Sequence, residues 1–112
     1  MGRRVTRGEV WLAHIGHRNR PVVVLTRSEV LDVRELVTIA EVTTSIRGLS
    51  VEVPIDEDEL ALDQPSVINC DGLHTVRQSS LTSRIGEVSD DTLRRICSAL
   101  SHALSCWAPR DS

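Results

Sequence analysis

Apolar residues along the chain gather in short runs separated by polar turns, which is the pattern of a protein built mainly from β-strands. PVVVLT is a continuous run rich in branched residues, so it predicts a strand covered on both faces. Pro21 is expected at the mouth of that strand, because proline has no N–H to give to a sheet ladder. The predicted strands are EVWLAHI (9–15), PVVVLT (21–26), ELVTIAEVT (35–43), LSVEVPI (49–55), SVINC (66–70) and RIGEV (84–88).

The last segment changes to helical periodicity and predicts a C-terminal helix. Ser89 suits the N-cap position, and Asp90 and Asp91 favour the positive start of a helix. Since an amphipathic helix must cover another element, it is expected to pack on the sheet. The fold class is therefore mainly β with a C-terminal α-helix, as a small β barrel or a strongly curved antiparallel sheet. The apolar stripe consists of Leu93, Ile96, Cys97, Leu100, Ala103, Leu104 and Trp107, and Pro109 ends the helix.

Length and composition indicate one ordinary globular domain, residues 1–112, with 40% hydrophobic and 26% charged residues. No apolar run is long enough to span a bilayer, so we expect a cytoplasmic protein without membrane contact. The three cysteines, Cys70, Cys97 and Cys106, have no histidine at metal-ligand spacing and are expected to be reduced core thiols.

Charge narrows the candidate functions only through its distribution. The net charge of −3 gives no support to nucleic-acid binding by the whole surface. Residues 1–27, however, hold six arginines against one acid, and all 13 basic residues are arginine. The planar guanidinium suits phosphate, whereas two tryptophans as the only aromatic residues make base stacking nearly unavailable.

Polar residues gather at three predicted strand ends, HIGHRNRP (14–21), VTTSIRG (42–48) and NCDGLHTVR (69–77). Cleavage of RNA requires a deprotonated 2'-OH, stabilised charge on phosphorus and a proton for the leaving 5'-oxygen. Arginine and hydroxyl groups can meet the second requirement without a metal, and histidine best suits the other two. The candidates are Arg18, Arg20, Arg47 and Arg77 for anions, Thr43, Thr44 and Ser45 as donors, and His14, His17 and His74 for proton transfer.

Structural roles compete with these assignments. Thr44 and Ser45 suit a turn as well as a ligand, and Asn69 suits a turn cap. His14 and His102 fit a structural or solvated role better than a catalytic one.

The whole pattern resembles the MazF/PemK-like toxins of bacterial toxin–antitoxin systems, over about residues 5 to 107. The similarity rests on RGEVW (7–11), RPVVVLTR (20–27), VTTSIRGLSVEV (42–53), QPSVINCDGLHTV (64–76) and RIGEVSDDTLRRICSAL (84–100). It implies a homodimeric SH3-like barrel of the MazF/CcdB type. It also implies a metal-independent, cofactor-free endoribonuclease that cuts single-stranded RNA at specific sequences to 2',3'-cyclic phosphate and 5'-OH ends, and that a cognate antitoxin neutralises.

The resemblance assigns the catalytic pair to Arg20, which would hold the scissile phosphate, and Thr43, which would donate a hydrogen bond to it. The first loop is shorter than in most relatives and carries no carboxylate, so His17 is a substitute candidate for proton transfer. The polar residues of the three strand ends supply the expected RNA contacts, which are Arg18, Thr44, Ser45, Arg47, Asn69, His74 and Arg77.

Two other functions fit the same fold. A CcdB-like toxin acts on DNA gyrase through the end of its last helix, where Trp107 stands here, but it does not need the pair Arg20 and Thr43. A catalytically silent module would use the arginines only to hold RNA phosphates.

Overall fold

The computed structural model describes residues 5–27, 35–55, 60, 62 and 64–104. Six strands form one antiparallel sheet in the order β4-β5-β3-β2-β1-β6. A single 3₁₀ turn, Gln78–Ser80, joins the last two strands. The elements are β1 (Glu9–Ile15), β2 (Arg18–Val24), β3 (Leu36–Thr43), β4 (Glu52–Pro54), β5 (Val67–Arg77), β6 (Leu81–Glu87) and the helix α1 (Asp90–Leu104).

The helix covers one face of this sheet. Ser89 Oγ accepts a hydrogen bond from the backbone N–H of Thr92 at 3.1 Å, which confirms Ser89 as the N-cap. Ile96 is fully buried against strand residues that include Val23 and Ile68. The helix thereby closes the first apolar cluster.

A second apolar cluster lies on the opposite face, where the described chain has no helix. Because side chains alternate along a strand, Val22 and Val24 of β2 point away from Val23 and into this cluster. Trp11 is 4% exposed there and Leu81 is fully buried. Register shifts in the β1–β6 and β3–β5 pairs curve the sheet, since β-bulges increase local twist and curvature. The fold is thus the curved antiparallel sheet with a C-terminal helix that the sequence predicts.

Several strand limits differ from the predicted ones. The second strand starts at Arg18, so Pro21 lies inside it and not at its mouth. This is tolerated because β2 pairs with β3 only from Val22 onward, where no proline N–H is required. The predicted loop 69–77 belongs to β5, the fourth strand is only three residues long, and the sixth starts at Leu81.

The cysteines correct a second expectation. Cys70 is buried, and burial, together with the nearby Asp71 and Cys97, raises its thiol pKa to about 11. Cys97 is a free thiol but is exposed, where its Sγ accepts a hydrogen bond from Arg7 Nη2 at 3.2 Å. The expectation of a core thiol is therefore wrong for Cys97, because helical spacing alone does not fix the edge of the buried stripe. Trp107, Pro109 and Cys106 lie outside the described residues, in which no helix is long and apolar enough to cross a membrane.

The loop between β3 and β4 is held by one carboxylate. The side chain of Glu52 is 3% exposed and accepts hydrogen bonds from the backbone N–H groups of Arg47, Gly48 and Leu49 at 3.0, 2.8 and 3.2 Å. Burial works to raise the pKa of Glu52, but these N–H groups and the Arg47 side chain lower it overall. Gly48 has φ +73°, a conformation that glycine adopts without strain.

We expect Ile96→Ala to destabilise the fold by about 2 to 5 kcal/mol, because it opens a cavity between α1 and the sheet. Cys97→Ala, at the neighbouring exposed position, is the matched control and should change the free energy of unfolding by less than about 0.5 kcal/mol. Urea titration followed by circular dichroism measures both. Equal effects of the two substitutions would contradict the packing of α1 described above.

We expect Glu52→Gln to lower the melting temperature at neutral pH. Because the folded-state pKa of Glu52 is depressed, its stabilising contribution is present above the ordinary carboxyl pKa and is lost as pH falls through the folded pKa. The difference in melting temperature between wild type and Glu52→Gln should therefore shrink from pH 7 towards pH 3. A difference that stayed constant over this range would contradict the role of the charge.

Candidate active site

The end of the β2–β3 ladder positions two of the predicted site residues. Hydrogen-bonded pairing starts at Val22, which lies opposite Glu41. If this register continues by two residues, Arg20 lies across from Thr43, at the point where Pro21 cannot extend the ladder. The strand ends therefore face each other with polar side chains and no main-chain pairing between them.

A cleft of about 460 Å³ opens at this point. Both strand ends contribute to its walls, and the chain that leads into β5 contributes the rest. Arg20 and Thr43 thus share one solvent-accessible space, as the resemblance implies. The lining residues are Arg18, Asn19, Arg20, Pro21, Val42, Thr43, Thr44, Leu62, Gln64 and Ser66.

Arg20 is fixed by a carboxylate that the sequence analysis did not identify. Its Nη1 donates to Oε1 of Glu41 at 2.8 Å, and the side chains are 35% and 20% exposed. Glu41 lies two residues before Thr43 on β3, so both point to the same side of the sheet. A guanidinium has five N–H donors, and one bond to Glu41 leaves others able to reach a phosphate.

The second oxygen of Glu41 contacts a histidine on the next strand. Nε2 of His74 lies within hydrogen-bond distance of Oε2 of Glu41. His74 sits opposite Ile39 in the β3–β5 pair, whereas Glu41 sits opposite Asn69. Residues 70–72 of β5 therefore have no partner on β3, whereas His74 and Glu41 are diagonal neighbours across the two strands.

These contacts link three strands through one carboxylate: Arg20 on β2, Glu41 on β3 and His74 on β5. The sequence held one signal for Glu41, because ELVTIAEVT has a single charge in its apolar interior and that charge shares the alternation of Thr43. Its contacts with Arg20 and His74 depend on the pairing of β2, β3 and β5, which strand periodicity does not supply.

The hydroxyl of Thr43 has a defined orientation. Its Oγ1 accepts a hydrogen bond from the backbone N–H of Ser45 at 3.0 Å. Since a hydroxyl has one donor and two acceptor positions, its O–H can still point into the cleft. Thr44 lines the same cleft, and Ser45 is exposed beside it.

The other predicted RNA contacts are spread over the sheet. Arg18 lines the cleft, and Arg47 stands 3.5 Å from Glu52 with its side chain 58% exposed. Asn69 Oδ1 accepts from the backbone N–H of Asp71 at 3.0 Å and so shapes the β5 bulge. Arg77 lies at the far end of β3 and reaches Glu35 at 3.4 Å. The structure thus brings Arg18 to Arg20 but leaves Arg77 apart.

His17 occupies the tip of the β1–β2 hairpin. It follows Gly16, whose φ of +62° suits the tight turn, and it is exposed. Neither His17 nor His74 is among the residues that line the cleft. His14, further back in β1, lies 3.4 Å from Asn19 through Nδ1. Of the three candidate histidines in the described chain, His74 is the one in contact with the carboxylate that holds Arg20.

Comparison with known proteins gives the family that the sequence resembles, over most of the chain. The family model described as PemK-like, MazF-like toxin of type II toxin-antitoxin system matches residues 6–104. The probable endoribonuclease MazF5 of Mycobacterium tuberculosis is 38% identical in an alignment 103 residues long that covers 89% of this chain and 93% of that protein. The probable endoribonuclease MazF2 of the same species is 33% identical, over 89% of this chain and 98% of that protein.

Solved structures agree with these sequence relatives. The Mycobacterium tuberculosis toxin MazF-mt6 superimposes with a TM-score of 0.80 at 34% identity, covering 87% of this chain and 96% of its own. An endoribonuclease in complex with its cognate antitoxin from Mycobacterial species has a TM-score of 0.86 at 24% identity, and the match covers 94% of this chain and 99% of that one. At this level of identity the match supports the fold alone. With a family model over most of its length and relatives above 30% identity, the chain belongs to the PemK-like, MazF-like toxin family of type II toxin–antitoxin systems.

Proposed function

We propose that the protein is an endoribonuclease toxin that cleaves single-stranded RNA in the cleft at the end of β2 and β3. The observation that carries the proposal is the placement of Arg20 and Thr43 on facing strand ends of one solvent-accessible cleft. Family membership supports the same activity, because the relatives MazF5 and MazF2 are named as probable endoribonucleases.

Arg20 and Thr43 supply the electrostatic part of this reaction. When the 2'-oxygen attacks the neighbouring phosphate, negative charge grows on the non-bridging oxygens, and donors aimed at them lower the barrier. Arg20 presents its guanidinium from a position that Glu41 fixes, and Thr43 presents its O–H from a position that Ser45 fixes. Preorganised donors of this kind need no metal ion, so we propose a metal-independent reaction that ends in a 2',3'-cyclic phosphate and a 5'-OH.

The RNA strand is proposed to enter past Arg18 and to continue along the β3–β4 loop. Arg18 and Thr44 line the cleft, and Arg47 and Ser45 follow in the same loop, which Glu52 holds in place. With few aromatic residues for stacking, phosphate contacts should contribute most of the affinity, and binding should weaken with rising salt. Asn69, His74 and Arg77 remain predicted RNA contacts, and Arg77 would meet RNA only beyond the cleft.

The proposed partners follow from the same family. We propose that a cognate antitoxin silences the toxin by covering the cleft, because the family is one of toxins of type II toxin-antitoxin systems. We also propose a homodimer. Large apolar side chains remain exposed on this chain, as expected for a protein with an interface to cover: Leu36 at 53%, Ile46 at 52% and Leu49 at 45%.

We expect the pure protein to cut a mixed-sequence RNA in the presence of EDTA. The fragments should end in 2',3'-cyclic phosphate, which end-group analysis by mass spectrometry detects. No cleavage by wild type would remove the endoribonuclease proposal. RNA binding without cleavage would favour the silent binding module, and inhibition of DNA gyrase by the same preparation would favour the gyrase-directed alternative.

We expect Arg20→Ala to lower kcat by about 100-fold to 1,000-fold, because it removes a donor to the phosphate in the transition state. Thr43→Val keeps the shape of the side chain and removes its O–H, so it should cost about tenfold. Arg94→Ala is the control for a lost positive charge, since Arg94 lies on the exposed face of α1 beside Asp91, at 3.5 Å. Equal losses for Arg20→Ala and Arg94→Ala would mean that Arg20 acts only through general charge.

A further inference from the structure

The proposed pair lacks a group that can remove the proton from the 2'-OH. A guanidinium stays protonated in proteins, and a threonine hydroxyl is too weak a base at neutral pH. We propose that His74 is the general base of the reaction and that Glu41 is the positioning residue that holds both His74 and Arg20. This inference rests on the proposed endoribonuclease function and adds a catalytic residue to it.

The contact with Glu41 fixes which nitrogen of His74 is available. A carboxylate only accepts hydrogen bonds, so Nε2, which faces Oε2 of Glu41, carries the hydrogen. The neutral imidazole then has its lone pair on Nδ1, the acceptor that a general base needs. The His74 side chain keeps 37% of its surface exposed, so part of it is open to a ligand.

The position of His74 on the sheet also fits this role. Ile39 lies opposite His74 and points into the second apolar cluster, so His74 extends that face of the sheet. Arg20 extends the same face from Val22 and Val24 on β2. The His74 ring contacts the charged group of Glu41 on β3, and Glu41 in turn contacts Arg20 on β2.

The reaction step balances with these groups. The proton of the 2'-OH passes to Nδ1 of His74 while the 2'-oxygen forms its bond to phosphorus. The bond from phosphorus to the 5'-oxygen breaks, and that oxygen keeps the electron pair and takes a proton from water. His74 becomes an imidazolium beside the Glu41 carboxylate, which stabilises the new positive charge, as in acid–base triads on other folds.

Glu41 serves two neighbours in this arrangement. A carboxylate beside an RNA phosphate would repel it, but Oε1 is already bonded to Nη1 of Arg20 at 2.8 Å. The ion pair offsets the repulsion and fixes the direction of the guanidinium. What distinguishes His74 from His17 is this contact with Glu41, since His17 lies exposed at the hairpin tip.

The decisive variant is His74→Gln. The glutamine amide can donate to Glu41 as Nε2 does, but it has no basic nitrogen, so it keeps the structural contact and removes the base. We expect kcat to fall by about 100-fold to 10,000-fold, the usual contribution of a general base. The melting temperature should stay at the wild-type value, because the contact with Glu41 is kept.

Chemical rescue separates a base from a structural contact. Added imidazole should restore cleavage by His74→Ala in proportion to its concentration and should not restore Arg20→Ala, which lacks a phosphate donor. For Glu41→Gln we expect a lower kcat with little change in KM, because the residue aligns catalytic groups and does not bind RNA itself.

Wild-type kcat for His74→Gln, or a loss in His17→Gln in place of His74→Gln, would overturn the inference and leave the proposed function intact. A loss in His74→Ala that imidazole does not restore would assign His74 a structural role and equally overturn it. Absence of cleavage by the wild-type protein would instead remove the proposed function, and the inference with it.

Discussion

The end of the β2–β3 ladder is the constraint on which the site depends. Hydrogen bonding between these strands begins at Val22 because Pro21 has no N–H to offer. Towards the core, the same strands bury Val22, Val23 and Val24 completely, so the ladder is anchored in both apolar clusters. Beyond the proline β2 and β3 no longer pair with each other, although β2 stays paired with β1 and β3 with β5. Their polar ends are therefore available to a ligand while the neighbouring strands hold them in place.

The Glu41 carboxylate turns these strand ends into a connected site. It binds Arg20 through one oxygen and His74 through the other, and so ties together three adjacent strands. Opposite charges at this distance in a partly buried setting interact more strongly than on the open surface. The arrangement keeps a cation directed at the cleft before any RNA arrives, which is the form of preorganisation that electrostatic catalysis requires.

The helix and several strands could be predicted from the sequence, but the pairing between strands and the side-chain contacts across them could not. The helix and its Ser89 cap followed from local signals, and β1 and β3 followed from alternation, because these patterns depend on neighbouring residues. The full length of β5 could not be predicted from the sequence, because the bulge at residues 70–72 depends on the pairing with neighbouring strands and not on the composition of β5 itself. For the same reason Glu41 was missed, although Arg20 and Thr43 were named through family resemblance, and their catalytic roles stay predictions.

We propose that RNA is cut by its own 2'-OH at the cleft between Arg20 and Thr43. Cleavage of an all-ribose oligonucleotide can be compared with cleavage of one that carries a single 2'-deoxy nucleotide immediately 5' of the mapped cut. We expect scission at that bond to disappear while the substituted strand still competes for binding with the all-ribose strand. Continued scission at the substituted position would contradict it, because the attacking group would then have to come from outside the RNA.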